Sequence, residues 1–265
     1  MTARALHVSD LHVGRRESPE PLAALALLVG ELEPELLVAT GDLAHRGRPD
    51  QLARAAELLH GLGVPVLAVP GNHDIPYTFP GRFSRTFTAW EAVFGTTEPV
   101  HSSERLHVVG SSSVRPWRQQ GGSLSADQLV RIASRLREAR PGALRVVALH
   151  HHLAAPPWRA PRKRPLRGRD DVLQALAATG AELVVGGHVH QAAVAERREF
   201  EALEDGSRSA LVLATAPGLG RPRPRRRGEA RGFNLYEAAD GVLTVATYAW
   251  DGRGFAEIGR RSFHR

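Results

Sequence analysis

The chain has 265 residues, of which 42% are hydrophobic and 24% charged, and its formal net charge is +7. That size suits one large α/β domain or two small ones, and the evenly spread turns favour one. With no cysteine, disulfides and thiolate metal sites are excluded, so any metal must be held by His, Asp, Glu or Asn.

In chain order, the first two-thirds alternate strand and helix. The strands are ALHVSDL, LLVATGDL, VPVLAVPGN, LHVVGSS, LRVVALHH and AELVVGGHVH, each ending in Gly, Ser, Asp, Asn or His. Helical patterns cover 21–33, 49–60, 125–140 and 170–179. In the third, Ser125 and Gln128 have the spacing of a capping box. After His190 the texture changes to antiparallel strands joined by DG and Gly/Pro turns, within AAVAERREFEA, SALVLATA, GFNLYEA and VLTVATYAW. The pattern fits two packed sheets flanked by helices. Residues 1–265 then form one domain, with 1–190 carrying the chemistry and 191–265 completing the second sheet. The segment 218–231 is the candidate mobile loop.

No apolar run approaches the ~20 residues that span a bilayer, so no membrane association is expected. Met1 leads directly into a strand without a charged-then-apolar leader, which points to a cytoplasmic location. The basic balance comes from 34 arginines against one lysine, Lys163. Arginines cluster at 159–169 and 221–227, in proline- or glycine-rich loops that attract anions generally.

Polar residues gather at five strand ends: Asp10 with His12, Asp42, the run Asn72-His73-Asp74, the run His150-His151-His152, and His188 with His190. Any one of these has an ordinary structural explanation, as a helix cap, a turn former or a hydrogen-bonded histidine. Together, with glycine before Asp42, Asn72 and His188, they supply the oxygen and imidazole donors for two divalent ions sharing one carboxylate. In D-x-H and H-x-H, alternate residues of an extended segment face the same side. The glycines let the backbone approach closely and turn sharply.

This set of motifs, D-x-H, G-D, G-N-H-[DE], H and G-H-x-H in that order, resembles the calcineurin-like metallophosphoesterases. The resemblance runs from Asp10 to His190. It implies a four-layer α-β-β-α sandwich of two mixed β-sheets flanked by helices. It also implies one metal held by Asp10, His12, Asp42 and His190, and a second held by Asp42, Asn72, His150 and His188. His150 takes precedence over His151 and His152 because it leaves the strand first. Two divalent or mixed-valence transition-metal ions are implied, and such donors accept Mn, Fe, Zn, Co or Ni. The implied reaction is phosphoester hydrolysis by a metal-bridging hydroxide, with His73 meeting the phosphate and protonating the leaving oxygen. Asp74 would either support His73 or brace its turn, and Arg46 matches the family's phosphate-contacting arginine.

One stretch departs from the family. Its phosphoprotein phosphatases carry G-D-x-x-D-R-G, whereas this chain has GDLAHRG, with His45 where the aspartate partnering the catalytic histidine would be. Two imidazoles are therefore expected to face each other. The stretch around GGSLSADQL resembles the bacterial branch containing class III cyclic-nucleotide phosphodiesterases. The expected substrate is thus a small phosphodiester, with 3',5'-cyclic nucleotides leading. The alternatives are a nuclease or phosphomonoesterase on the same metals, or a nucleic-acid-binding module with structural metals. Selectivity would come from rim loops 114–122 and 156–169. There Trp117 or Trp158 would offer a face for a base, and Arg118, Arg159 or Arg162 would meet further oxygens.

Overall fold

A computed structural model describes residues 2–15, 18–153, 163–199, 211–222 and 229–265. The Arg159–Arg162 stretch, Trp158 and most of the 221–227 cluster lie outside the described residues.

The first sheet is built around β1 (Ala3–Val8), β2 (Leu36–Ala39) and β3 (Val66–Ala68), which run parallel. Helices α1 (Glu20–Leu32) and α2 (Pro49–His60) connect them. Proline near the first turn of each helix suits a position with no intrahelical N–H partner. The chain then adds two short helices that periodicity did not reveal, α3 (Gly81–Ser84) and α4 (Thr88–Phe94), and an edge strand β4 (Val100–Ser102). The second sheet follows: β5 (Leu106–Gly110), α5 (Ala126–Leu136), β6 (Leu144–Ala148), α6 (Arg169–Ala178) and β7 (Leu183–Gly186). The expected 125–140 helix stops at Leu136, four residues before the Arg140-Pro141 step, where proline disfavours helical backbone at the residue before it. Its capping box is present, with the Ser125 side chain accepting from Gln128 N at 3.2 Å and Gln128 Oε1 accepting from Ser125 N at 3.1 Å.

The segment after 190 divides between the sheets rather than completing only the second. β8 (Ala193–Glu196) and β9 (Val212–Thr215) finish the second sheet. β10 (Gly232–Ala239), β11 (Val242–Trp250) and β12 (Phe255–His264) form an antiparallel meander on the first. β10 satisfies the open edge of β1, pairing Ala3 with Ala238 through His7 with Asn234. The resulting orders are β12-β11-β10-β1-β2-β3 and β4-β5-β6-β7-β9-β8, both mixed.

Three apolar layers hold four layers of structure together. Between the sheets, Leu36, Val38 and Leu67 meet Val108, Val146, Val185 and Val212. The alternate residues of the same strands, such as Leu37 and Ala39, face Leu25, Leu52 and Leu59 of α1 and α2. On the far side, Val147, Val184 and Leu213 pack on Ile132, Val172 and Leu176 of α5 and α6. Strand alternation thus splits each sheet between two cores, giving the four-layer α-β-β-α sandwich. The parallel strands of both sheets end at one rim, where open α/β sheets place ligands.

Candidate metal centre

At that rim the backbone leaves regular structure. Asp10, His12, Asp42, His188 and His190 all have positive φ, between 50° and 72°. This differs from the extended, alternating geometry expected of D-x-H and H-x-H. Left-handed backbone at non-glycine residues costs about 1–3 kcal/mol each, and it collects where surrounding structure fixes a site. Here it aims consecutive polar side chains at one centre. Gly41 and Gly71 stand back to back, so that a Cβ on either would overlap the other loop's backbone. Gly187 is equally constrained, because a Cβ there would collide with Ser9 and Asp10. That closeness allows His188 N to donate to Asp10 Oδ2 at 2.9 Å.

The donors form two adjoining groups. In the first, His190 Nε2 lies 3.0 Å from Asp10 Oδ1 and 3.2 Å from His12 Nε2, and His12 Nε2 is 3.9 Å from both Asp10 and Asp42. In the second, His150 Nε2 lies 3.2 Å from Asn72 Oδ1, 3.2 Å from His188 Nδ1 and 3.4 Å from Asp42 Oδ1. Asp42 therefore reaches both. All of these side chains are buried. Within this polar nest, Asp10 Oδ1 and Asp42 Oδ2 receive no hydrogen bond. Buried carboxylate oxygens without donors, beside converging imidazole nitrogens 3.2 Å apart, are what divalent cations require.

The electrostatics agree. Burial opposes charge on Asp42, yet the imidazoles of His150 and His73 hold its carboxyl well below the usual range. Burial opposes charge on Asp10 too, and His190 outweighs it. Burial holds His12 and His188 well below the usual imidazole value, leaving their ring nitrogens as neutral ligands. His150 is the exception: burial disfavours its charge, but Asp42 pushes it up to about 9. A bound cation would take the place of that proton.

Supporting contacts fix ring orientation. His150 Nδ1 donates to Thr40 O at 2.7 Å, which turns Nε2 towards Asn72. Thr40 Oγ1 in turn meets His7 Nε2 at 2.8 Å, and His7 Nδ1 meets Tyr236 OH at 2.6 Å. Glu229 Oε2 lies 3.8 Å from His190 Nδ1, on the side away from Asp10. Sequence reading missed Thr40, His7, Tyr236 and Glu229, which carry no motif and act only through the fold. It also missed Lys163, which is buried and donates to His188 O at 2.6 Å.

The remaining expected residues separate. His73 is half-buried at the mouth; its N–H donates to Asp42 Oδ1 at 2.8 Å, and its Nδ1 to the backbone carbonyl of His45 at 2.9 Å. The ring of His45 lies parallel to it at 5.9 Å, so the two imidazoles face each other without a bond between them. His45 also joins His12 and His73 in a third imidazole group. The Asp74 carboxylate makes no hydrogen bond to His73. Its two oxygens accept from Ala44 N at 2.7 Å and Gly71 N at 2.8 Å, so it ties the Asp42 loop to the Asn72 loop. Burial, aided by Asp42, pushes Asp74 up to about 7, against the pull of those two amides. The Arg46 guanidinium sits over the Tyr77 ring, 5.7 Å from its centre.

His151 and His152 are buried beside His150. His151 Nδ1 pairs with Ser113 Oγ at 2.8 Å, and a Cβ at Gly122 would overlap the His151 ring and Ser113 O. Gln128 donates to Ser112 O at 2.7 Å and accepts from Arg115 at 2.6 Å. The glycine and glutamine of GGSLSADQL thus hold the loop behind the histidines. The described ends of segment 218–231 are pinned as well, with Leu219 N donating to Ser9 O at 2.8 Å and Gly220 N to Asp10 O at 3.0 Å.

Comparison with known proteins bears on the same residues. The model of the Calcineurin-like phosphoesterase family matches residues 3–192. A probable cyclic nucleotide phosphodiesterase of Synechococcus sp. is 30% identical over 210 residues, covering 74% of this chain and 77% of that protein. The 3',5'-cyclic adenosine monophosphate phosphodiesterase CpdA of Haemophilus influenzae is 25% identical over 217 residues, covering 76% and 74%. A dimetal phosphatase from Danio rerio shares the fold at a TM-score of 0.66 and 14% identity, over 99% of this chain and 98% of that one. The chain belongs to the calcineurin-like phosphoesterases, hydrolases that use two divalent metal ions.

Proposed function

We propose that this protein hydrolyses small phosphodiesters, 3',5'-cyclic nucleotides foremost, with the residues of the sandwich rim. One observation carries the chemical part: a half-buried histidine, His73, stands beside the buried donors with its backbone N–H on Asp42 and its ring outside the groups that contain a carboxylate. The substrate part is supported by the two relatives named for cyclic nucleotide hydrolysis.

In this reading Asp10, His12, Asp42 and His190 would hold one cation, and Asp42, Asn72, His150 and His188 would hold the other. A pair of bound divalent cations supplies Lewis acidity towards the phosphoryl oxygens and lowers the pKa of water. The protein's own residues do the rest. Thr40 O keeps His150 in the tautomer whose Nε2 lone pair faces the centre. The His45 carbonyl accepts a hydrogen bond from His73 Nδ1–H and so points Nε2 towards the substrate. Protonated on both nitrogens, His73 presents Nε2–H to a phosphoryl oxygen and passes that proton to the departing alkoxide. Water adds to phosphorus and gives up a proton, the P–O bond to the leaving oxygen breaks, and a monophosphate and an alcohol remain, the released proton replacing the one that His73 gave. A backbone carbonyl thus takes the orienting place that the family's phosphatases give to an aspartate. Arg46, at the mouth, contacts the outer phosphoryl oxygen.

The test is a substrate panel on metal-reconstituted protein: an aryl phosphodiester, its monoester, cyclic AMP, cyclic GMP and single-stranded DNA, at two salt concentrations. The reading expects the small diesters to be turned over fastest, with little salt dependence. Faster monoester turnover would overturn the diester assignment. DNA cleavage that exceeds the small diesters and falls steeply with salt would make the protein a nuclease.

A further inference from the structure

Beside His73 lies a cleft of which the chemistry above uses only Arg46. It has a volume of about 710 Å³, within the range of small-molecule sites, and its lining includes Arg46, Tyr77, Phe79, Pro80 and Arg85. Among the described residues no carboxylate lines it. Tyr77 is 50% exposed and Phe79 81% exposed, unusual for rings with so much apolar area to bury. The Tyr77 ring centre is 6.3 Å from that of His73, so one wall of the cleft stands beside the catalytic histidine.

The aromatic segment is held firmly. Arg82, only 7% exposed, reaches back through it and donates three hydrogen bonds to backbone carbonyls. They run to Pro116 O at 2.6 Å, Pro76 O at 3.2 Å and Arg118 O at 3.2 Å. The segment carrying Tyr77 and Phe79 is thereby tied to loop 114–118, and both rings stand outward. A rigid exposed ring loses little conformational freedom on binding a flat partner. An arginine over the same ring and a lining without negative charge suit a nucleotide.

We infer that the Tyr77–Phe79 cleft receives the nucleobase of the substrate, with Tyr77 as the stacking face. This rests on the cyclic-nucleotide reading above. It also moves base recognition away from Trp117, which is 67% exposed on loop 114–122 but does not line the cleft.

The measurement is binding of two product-like probes to the metal-loaded protein: AMP, and ribose 5-phosphate, which has the same phosphate and sugar without the base. The ratio of their dissociation constants isolates base recognition from whatever the metals contribute. In the wild type AMP should bind about 5- to 150-fold tighter, the range of base–aromatic stacking. Tyr77→Ala should bring the ratio close to one, and Tyr77→Phe should preserve it because the ring face remains. Equal affinities in the wild type would overturn the inference, as would a ratio that survives Tyr77→Ala or collapses in Trp117→Ala instead. If the wild type hydrolyses no cyclic nucleotide yet the ratio behaves as stated, the substrate reading falls and the base site stands.

Discussion

The donor shell and the cleft beside it are built on opposite principles. Around Asp42 the donors are buried carboxylates and imidazoles with one amide, and most are held by left-handed backbone that few residues tolerate. Around Tyr77 the side chains are exposed and aromatic, and one buried arginine anchors the loop that carries them. The first arrangement gathers metal donors at fixed positions and tolerates little change of shape. The second offers area and can vary without disturbing the centre. Reaction and selectivity are therefore separable here, and substitutions should divide along that line.

The largest effect belongs to Asp42, which reaches both donor groups. Asp42→Asn should lose both metals and bring aryl-diester turnover to background; elemental analysis and a turnover assay on one preparation check this. A variant that keeps two metals would mean that the groups are independent. His73→Ala comes next. It should keep its metals and slow turnover by roughly 10²–10⁴-fold, less for substrates with very good leaving groups. Loss of metal in that variant would place His73 inside the shell.

Asp74→Ala separates brace from catalyst. It strands the buried amides of Ala44 and Gly71, so denaturant unfolding should show a loss of about 1–3 kcal/mol for a stranded group. A large rate loss at unchanged stability would instead make Asp74 a partner of the chemistry.

His7 tests the foundation under Thr40. Burial lowers it to about 3, so the folded state keeps it neutral while the unfolded chain takes up a proton below about 6.5. The unfolded state then binds more protons, and stability must fall as pH drops from about 6.5 towards 3, by up to about 1.4 kcal/mol per pH unit from this residue. Unfolding of metal-free His7→Gln across that range should show a shallower slope than the wild type. An identical slope would remove His7 from the account. The smallest effect is expected at His45. Because its backbone carbonyl orients His73, His45→Ala should change kcat only a few-fold. A loss comparable to His73→Ala would show that the imidazole itself is needed.

The layers were legible in the sequence because each strand alternates between two apolar cores and each helix carries one apolar face. The donors were legible because glycine and a polar pair recur at successive strand ends, a pattern that stays within a few residues. What stayed hidden depends on pairing across long separations. The meander 232–264 joins the first sheet through β1, some 230 residues away, and no local signal specifies that. Thr40, His7, Tyr236 and Glu229 reach the centre in the same way. The backbone of the motifs was also misjudged, since D-x-H looks extended on paper while Asp10 and His12 are both left-handed. The rim reading fell on Trp117 and Trp158 because tryptophan stands out in a sequence. Tyr77, four residues after His73, sits beside the mouth because the turn after Asp74 carries it there.

The central claim is that two cations share Asp42 and that hydrolysis depends on both. Titrating metal-free protein with a single divalent metal while following aryl-diester turnover tests it most directly. The account predicts two equivalents bound per chain, turnover that rises with the second, and complete loss on chelation. Saturation at one equivalent, or hydrolysis persisting in protein shown by elemental analysis to be metal-free, would contradict it.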